Sequence, residues 1–522
     1  MQMLQCLPTQ ARGLGSVEEG KLVAMIQLSV VDSAFIHLER ISPWNGGMVL
    51  VYDRATVPGA VSFQDVLEHF RQCLHLIDAL RMKLVRVPGN LDRPYWAEDP
   101  NIDLEYHMSH LALPPPGDWR AFCLLVSRLI ARPLDMTRPL WELYMIDGLD
   151  VVEHCPKNSF AVVLKAHHAV LDGQAYRAIM GILHSAEPHE APPPPPDEAR
   201  RVESAPGAIS LLARAGIHAL GAPLVAARAL TKAGPGVGRV AWSQIGRRLG
   251  ERSEPGPVTP RTPRFGGRVG PHRSWGACFF DLADIKPIRD TVDGATVTDV
   301  AASVFGGALR TYLGELNELP TEPIKSAVVV GVRAESDRAL RFGTEQTSSL
   351  GNKLSAMFAS LATDVDDPIE RLAAVRASTS GSKEGLAKLG ATSPTALLEL
   401  VPESVLTPLT EVIAAVPGGL LGNLPMSTAI TGLPGPPGPH HLCGAKLIHL
   451  CGFGPVTDGM LLMNIVVGYQ DELGLFFTAD RDALPDPWHY EECIRQAFDD
   501  LRKAARSRQR VQSAKKQPKV AP

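Results

Sequence analysis

Residues 160–166 (Phe-Ala-Val-Val-Leu-Lys-Ala) are apolar except for Lys165, and the chain turns polar abruptly at His167. An apolar run of this length, bounded by polar residues, reads as a buried strand. From Gln174 to Leu183 the apolar residues Ala175, Ala178, Ile179, Ile182 and Leu183 recur at helical spacing, which predicts a helix. His167, His168, Asp172 and Gly173 therefore occupy a strand-to-helix connection, a place where scaffolds commonly hold catalytic groups.

The side chains in this heptad have a chemical use. An imidazole titrates near pH 6.5, so a neutral histidine can take a proton from a hydroxyl during nucleophilic attack, worth about 10²–10⁴-fold in rate. One histidine suffices. Asp172, four residues after His168, and Gly173, which permits a tight backbone path, can hold the turn so that one ring faces a cavity. The same residues equally fit a plain strand end in which Asp172 caps the following helix.

Composition narrows the function classes. The 522 residues are enough for two domains, and a net charge of −4 gives no general attraction to nucleic acid. The eight cysteines contain no C-x-x-C pair, as expected in a reducing compartment. The first 20 residues lack a basic start followed by an apolar core, and no apolar stretch of about 18 residues occurs. These features predict a cytoplasmic protein able to rest on a membrane surface.

In chain order, residues 1–25 read as a loose leader, Leu28 to Glu39 as a short apolar segment and Met48 to Tyr52 as a strand. Phe63, Val66, Leu67, Phe70, Leu74 and Ile77 share one side of an amphipathic helix over Val61 to Ile77. A helix is predicted over Ala121 to Ala131 and a strand over Leu143 to Ile146. Between them, Arg138-Pro139-Leu140-Trp141-Glu142 reads as a packing corner, because proline preorganises an extended approach and Trp141 is a large anchor; a pocket wall has the same signature.

Ala191 to Pro206, with five consecutive prolines, reads as a semi-rigid linker. Residues 207–250 contain no acidic residue but carry Arg214, Arg228, Lys232, Arg239, Arg247 and Arg248 among Ile209, Leu211, Leu212, Ile217, Leu220, Leu224, Val225 and Leu230. Such a stretch fits a lipid headgroup layer or a connector packed on the protein itself. His440, His441, Cys443, His449 and Cys451 cluster without the spacing of a standard zinc site, so no metal is expected there. Residues 502–522 hold eight Lys or Arg and no acid, which predicts a disordered tail with weak attraction to anionic lipid.

From about Val31 to Leu501 the chain resembles the bacterial wax ester synthase/diacylglycerol acyltransferase family. The family's two histidines, three residues and Asp-Gly stand at His167 to Gly173, and its Pro-Leu-Trp at Pro139, Leu140 and Trp141. Pro94-Tyr95-Trp96 and Asp103 to His107 also match. The family's Asn-Asp before an alanine-rich helix is here Thr298-Asp299, and its Asn-Val-Pro-Gly-Pro is here Gly432-Leu433-Pro434-Gly435-Pro436, so an Asn is absent at both places. Gly351-Asn352 with Ser355, Pro455 to Gly459, and Asp480-Arg481-Asp482 fit the pattern.

The resemblance implies an α/β fold of two related CoA-dependent-acyltransferase-like domains, each a mixed sheet flanked by helices, with an active-site tunnel between them. The division would run 1–25 leader, 26–190 N-terminal domain, 191–262 linker and basic connector, 263–501 C-terminal domain and 502–522 tail. His168 would be the general base, His167 supportive, and Asp172 and Gly173 loop-shaping. Pro139, Leu140, Trp141, Thr298, Asp299, Gly351 and Asn352 would line the tunnel or bind substrate. The implied reaction carries a long-chain acyl group from acyl-CoA, a co-substrate with no further cofactor, to diacylglycerol or a long-chain alcohol. It would take place at the inner membrane face or on lipid droplets, without nucleic acid. The rivals are a weakly active lipid-binding paralogue, pointed to by Thr298 and Gly432, and a condensation-type enzyme that takes acyl groups from a carrier protein.

Overall fold

The apolar run lies inside a nine-residue strand, β7 (Ser159–His167), of which every residue is buried. The computed structural model describes residues 25–56, 61–171, 173–188, 206–220, 264–331, 354–389 and 426–516. β7 sits inside a six-stranded sheet. On one side lie β6 (Trp141–Asp147) and β5 (Met108–Ala112); on the other lie β2 (Asn45–Asp53), β13 (Ala445–Phe453) and β12 (His441–Leu442). The β5–β6 pair is parallel and the other pairs are antiparallel.

A second six-stranded sheet runs in the order β10 (Leu354–Ser360), β9 (Lys325–Gly331), β11 (Thr428–Pro434), β14 (Leu462–Tyr469), β15 (Glu472–Asp480) and β8 (Arg273–Asp281). β11 is parallel to both neighbours, while the remaining pairs are antiparallel. A third, small sheet orders β1 (Ile26–Gln27), β4 (Tyr95–Glu98) and β3 (Met82–Val85). The described helices of the first half are α1 (Val30–Leu38), α2 (Phe63–Cys73), α3 (Leu104–His107), α4 (Trp119–Ala131), α5 (Gly173–Leu183) and α6 (208–220). Those of the second are α7 (Leu282–Arg289), α8 (Val297–Glu315), α9 (Pro368–Leu389) and α10 (Pro487–Lys516). This is the mixed α/β arrangement expected.

Local chemistry explains where the helices start. Ser29 caps α1 by accepting from Asp32 N, and Ser62 with Asp65 forms a capping box on α2. The amphipathic pattern that predicted one helix to Ile77 spans α2 and a tighter 3₁₀ turn at Leu74–Leu76. Asp118 caps α4, so that helix begins at Trp119, two residues before the predicted start.

The halves are not separable at the expected boundaries. β12 and β13, placed by sequence in the C-terminal domain, complete the N-terminal sheet, with β13 pairing along β2 from Lys446↔Asp53 to Phe453↔Gly47. Without β13, β2 would present an unpaired edge, although its residues 45–52 are all buried. Trp275 of β8 ties the sheets further: its Nε1 donates to Gly452 O at 3.1 Å, and its backbone N to Ser127 Oγ of α4 at 2.9 Å.

The tail also departs from expectation. Residues 502–516 continue α10 as helix, with Arg502 and Arg506 paired to Asp284 of α7 at 2.8 and 2.9 Å. The Asp284 carboxyl, hydrogen-bonded chiefly by Arg502, is held below the usual carboxylate range. Residues 517–522, the leader to residue 24 and the proline linker at 191–205 lie outside the described residues. Of the basic connector, α6 alone is described. It packs Leu211 and Ala215 on Val87 and Tyr95 of the small-sheet region, while Ile209 and Leu220, each 85 % exposed, face outward with Leu212 and Ile217. Arg228, Lys232, Arg239, Arg247 and Arg248 lie outside the described residues.

Candidate active site

β7 ends at His167, and the turn that follows is built on that residue. Its carbonyl accepts from Val170 N at 2.9 Å and Leu171 N at 3.3 Å, while its Nδ1 accepts from Ala169 N at 3.0 Å. With Nδ1 an acceptor, the network assigns the proton to Nε2. Nε2 faces Glu39 Oε2 at 3.2 Å. The ring is 0 % exposed. His167 is thus hydrogen-bonded at Nδ1, close to the Glu39 carboxylate at Nε2 without a hydrogen bond to it, and walled off.

His168 is placed differently. Its backbone N donates to Trp44 O at 2.8 Å, and its half-buried ring meets Phe35 edge-on, with centroids 5.4 Å apart. Phe35 in turn stacks on Trp44 at 4.5 Å. Glu39, the residue capping the C-terminus of α1, accepts from Trp44 N at 2.7 Å through the same Oε2 that faces His167. One carboxylate therefore fixes both the buried histidine and the loop that carries Trp44. Beside the turn, β2 must approach closely: a Cβ at Gly47 would lie 2.1 Å from Leu164 O and 2.3 Å from the Phe453 ring, so no larger residue fits. Tyr176 secures the start of α5 by donating to Gly46 O at 2.6 Å.

Lys165, on the same face of β7 as His167, is 0 % exposed. Its ammonium lies 2.6 Å from Glu142 and donates to Leu129 O and Arg132 O. Burial pulls its pKa down against the Glu142 charge. With its donors so engaged it is a structural ion pair.

The Pro-Leu-Trp stretch, expected along a tunnel, is core. Leu140 and Trp141 are each 0 % exposed. Trp141 Nε1 donates to Leu80 O at 2.7 Å, its ring stacks on His107 at 4.6 Å, and Leu140 O accepts from His167 N at 3.0 Å. With Pro139, also buried, this segment packs against the end of β7. Asp299 is likewise structural. It forms a capping box with Thr296 on α8 and accepts from Thr379 Oγ1 at 2.7 Å, and it is 1 % exposed.

Thr298 and Gly432 come together between α8 and β11. Thr298, half-buried near the start of α8, holds its Oγ1 3.5 Å from where a Cβ on Gly432 would stand, and Gly432 is exposed although β11 is an inner strand. On the next residue, Leu433 Cδ2 occupies the space of a Cβ on Gly173, at 2.2 Å. A larger residue at Gly173 would have to displace the Leu433 methyl, so β11 of the second half packs directly against the signature of the first. Asp172, Gly351 and Asn352 lie outside the described residues. The cysteine and histidine cluster forms no metal centre: among the described residues no group of three or more His, Cys, Asp or Glu could hold an ion. His449 instead pairs with Glu472 at 3.0 Å. Glu39, Trp44, Phe35 and Tyr176 carried no motif; a carboxylate after an apolar helix gives no local sign that it faces a histidine far along the chain.

Two mixed sheets that share strands across the halves, with a histidine pair at the junction, define a condensation-type, CoA-dependent-acyltransferase-like fold. A first condensation domain of the calcium-dependent antibiotic synthetase is 13% identical over 92% of this chain and 97% of that chain, with a TM-score of 0.51. The wax ester synthase/diacylglycerol acyltransferase of Marinobacter aquaeolei VT8 superposes with a TM-score of 0.62 at 23% identity, over 92% of this chain and 100% of that chain. Residues 28–301 match the wax ester synthase/diacylglycerol acyltransferase catalytic domain, and residues 350–502 match the C-terminal domain of that family. The chain belongs to the wax ester synthase/diacylglycerol acyltransferase family. A Mycobacterium bovis relative named as a diacylglycerol O-acyltransferase is 30% identical over 92% of this chain and 99% of its own length. A similarly named Mycobacterium tuberculosis relative is 28% identical over 92% and 90%.

Proposed function

We propose that this chain transfers a long-chain acyl group from acyl-CoA to the hydroxyl of diacylglycerol, giving triacylglycerol, and to that of a long-chain alcohol, giving a wax ester. His168 takes the hydroxyl proton as the oxygen attacks the thioester carbonyl. The C–O bond forms, the C–S bond breaks, and the imidazole returns the proton to sulfur, so CoA leaves as the thiol. A thioester is already activated, so positioning and proton transfer suffice, and acyl-CoA is the one co-substrate. His167 supports the turn, as do Asp172 and Gly173.

The observation that carries this reading is the asymmetry of the pair. His167 is 0 % exposed, with Nδ1 taken by the Ala169 amide and Nε2 facing Glu39, whereas the His168 ring is half-buried. Membership of the family supports the reaction class. The test is incubation of purified protein with labelled palmitoyl-CoA and either dioleoylglycerol or hexadecanol. Labelled triacylglycerol or wax ester is expected; binding of either lipid without ester formation overturns the reaction in favour of a lipid-binding paralogue. Thr298 and Gly432 favour that second reading, because two amides able to donate to a developing oxyanion are absent.

The acceptors are nearly insoluble in water, and no described helix is long and apolar enough to cross a membrane. Contact with an anionic lipid surface through residues 207–250 is the matching proposal, supported by the outward Ile209, Leu212, Ile217 and Leu220 of α6. Each cation near an anionic leaflet contributes about 1 kcal/mol. Vesicle co-sedimentation at low and high salt tests this against a variant with Arg214, Arg228, Lys232, Arg239, Arg247 and Arg248 changed to Gln. Undiminished sedimentation of that variant would mean that the segment is a connector.

A further inference from the structure

We propose that Arg273 and Ser42 are positioning residues for acyl transfer, through which the second half of the chain sets the alignment of the catalytic turn in the first. Ser42 is 2 % exposed and stands in the short loop between α1 and β2. Its Oγ donates to Val456 O at 2.7 Å and accepts from Arg273 Nη2 at 2.6 Å, a partner 231 residues away on β8. Arg273 is 6 % exposed. It is held by Gly270 O at 2.7 Å and His272 O at 2.9 Å, with the Asp480 carboxylate at 3.9 Å. Asp480 is in turn fixed by three backbone donors, Gly270 N, Asp482 N and Ala483 N, at 2.6, 3.0 and 3.2 Å. The guanidinium is thus a rigid point anchored in the second half, and charge-assisted donation to a buried hydroxyl is among the stronger hydrogen bonds.

The loop that Ser42 anchors is the one that touches both histidines. Glu39 lies three residues before Ser42 and Trp44 two after it. Glu39 faces His167 at 3.2 Å, and Trp44 O holds His168 N at 2.8 Å. Neither Ser42 nor Arg273 hydrogen-bonds to His167 or His168. Their effect runs through the loop backbone: if the Ser42 tie is lost, Glu39 and Trp44 shift together, and both imidazoles follow. Displacement of a reacting group by about 1 Å costs up to about 10²-fold in rate.

The inference rests on the acyl-transfer reading, and the test separates the two. Ser42→Ala, Arg273→Lys and Glu39→Gln are compared with wild type in kcat and KM for palmitoyl-CoA, alongside Ser42→Ala combined with Glu39→Gln. Site-resolved carbethoxylation of His168 by diethyl pyrocarbonate, read by mass spectrometry, reports the ring's environment independently of acyl transfer. Ser42→Ala is expected to keep the far-UV spectrum and a cooperative melting transition, lowered by the loss of two buried hydrogen bonds, while kcat falls about 10- to 100-fold and KM stays within about twofold. The His168 labelling rate is expected to change at least about threefold, and the double variant to be no slower than Glu39→Gln, because both changes release the same loop. Arg273→Lys, which keeps the charge but not the planar fork, is expected to fall between wild type and Ser42→Ala and serves if Ser42→Ala does not fold. Unchanged kcat and unchanged labelling in folded Ser42→Ala, fully multiplicative effects in the double variant, or a rise in KM alone would each overturn the proposal. Absence of transfer by wild type would refute the reaction, and the labelling comparison alone would then decide the positioning.

Discussion

Replacing His168 by Ala tests the central assignment most directly. The imidazole is a half-buried ring, and its loss removes the proton acceptor without emptying the core. General-base assistance is worth about 10²–10⁴-fold, or roughly 3–5 kcal/mol at 1.36 kcal/mol per tenfold. His167→Ala removes different interactions: the 3.0 Å bond from Ala169 N and the 3.2 Å contact with Glu39. The Ala169 bond is worth about 1 kcal/mol net, so His167→Ala should slow transfer by about tenfold while lowering stability by about 1 kcal/mol or more. Initial rates of CoA thiol release at saturating palmitoyl-CoA and dioleoylglycerol, measured beside urea unfolding, give both quantities. Loss of activity in His167→Ala with near-normal rates in folded His168→Ala would reverse the assignment and refute the exposure argument.

Trp141→Phe should lower stability by about 1–3 kcal/mol, because the Leu80 carbonyl loses its 2.7 Å donor, with KM for acyl-CoA unchanged; raised KM at full stability would put Trp141 back in the substrate path. Thr298→Asn should keep the fold, since Gly432 opposite has no side chain, and raise kcat for diacylglycerol; no change or a fall would mean that the absent amide does not limit this protein. His184 is driven by burial to a pKa of about 3, with Tyr52 Oη at 2.7 Å from Nε2 and Met180 O at 2.9 Å from Nδ1. The unfolded chain therefore binds a proton below about pH 6.5 that the folded chain refuses, so stability is lost as pH falls from about 6.5 toward 3, by roughly 2 kcal/mol at pH 5. His184→Gln should flatten that loss in urea titrations at pH 7 and pH 5, and an unchanged pH dependence would show that His184 is not the group responsible.

Much of the scaffold was written locally. The run at 160–166 and the helical spacing after Gln174 are short-range patterns, and the chain realises them as β7 and α5 with the histidines at their junction. The same holds for α4 and β2, where side-chain periodicity reports which face will be covered. The tail was misjudged because composition registers its charge but not Asp284, which accepts Arg502 and Arg506 from a helix more than 200 residues earlier.

The site itself divides along the same line. The amino-acid sequence determined which residues bear the chemistry, because two imidazoles beside an Asp-Gly turn are legible from their spacing and from the family pattern around them. Tertiary structure decided how the two histidines differ: His167 is enclosed between Glu39 and the Ala169 amide, while the His168 ring is half-buried. It also decided that Pro139 to Trp141 brace the core, that β13 closes the edge of β2, and that Thr298 stands opposite Gly432. Each of these depends on pairing between segments far apart in the chain. Local periodicity reports that a face is buried but carries no information about what buries it.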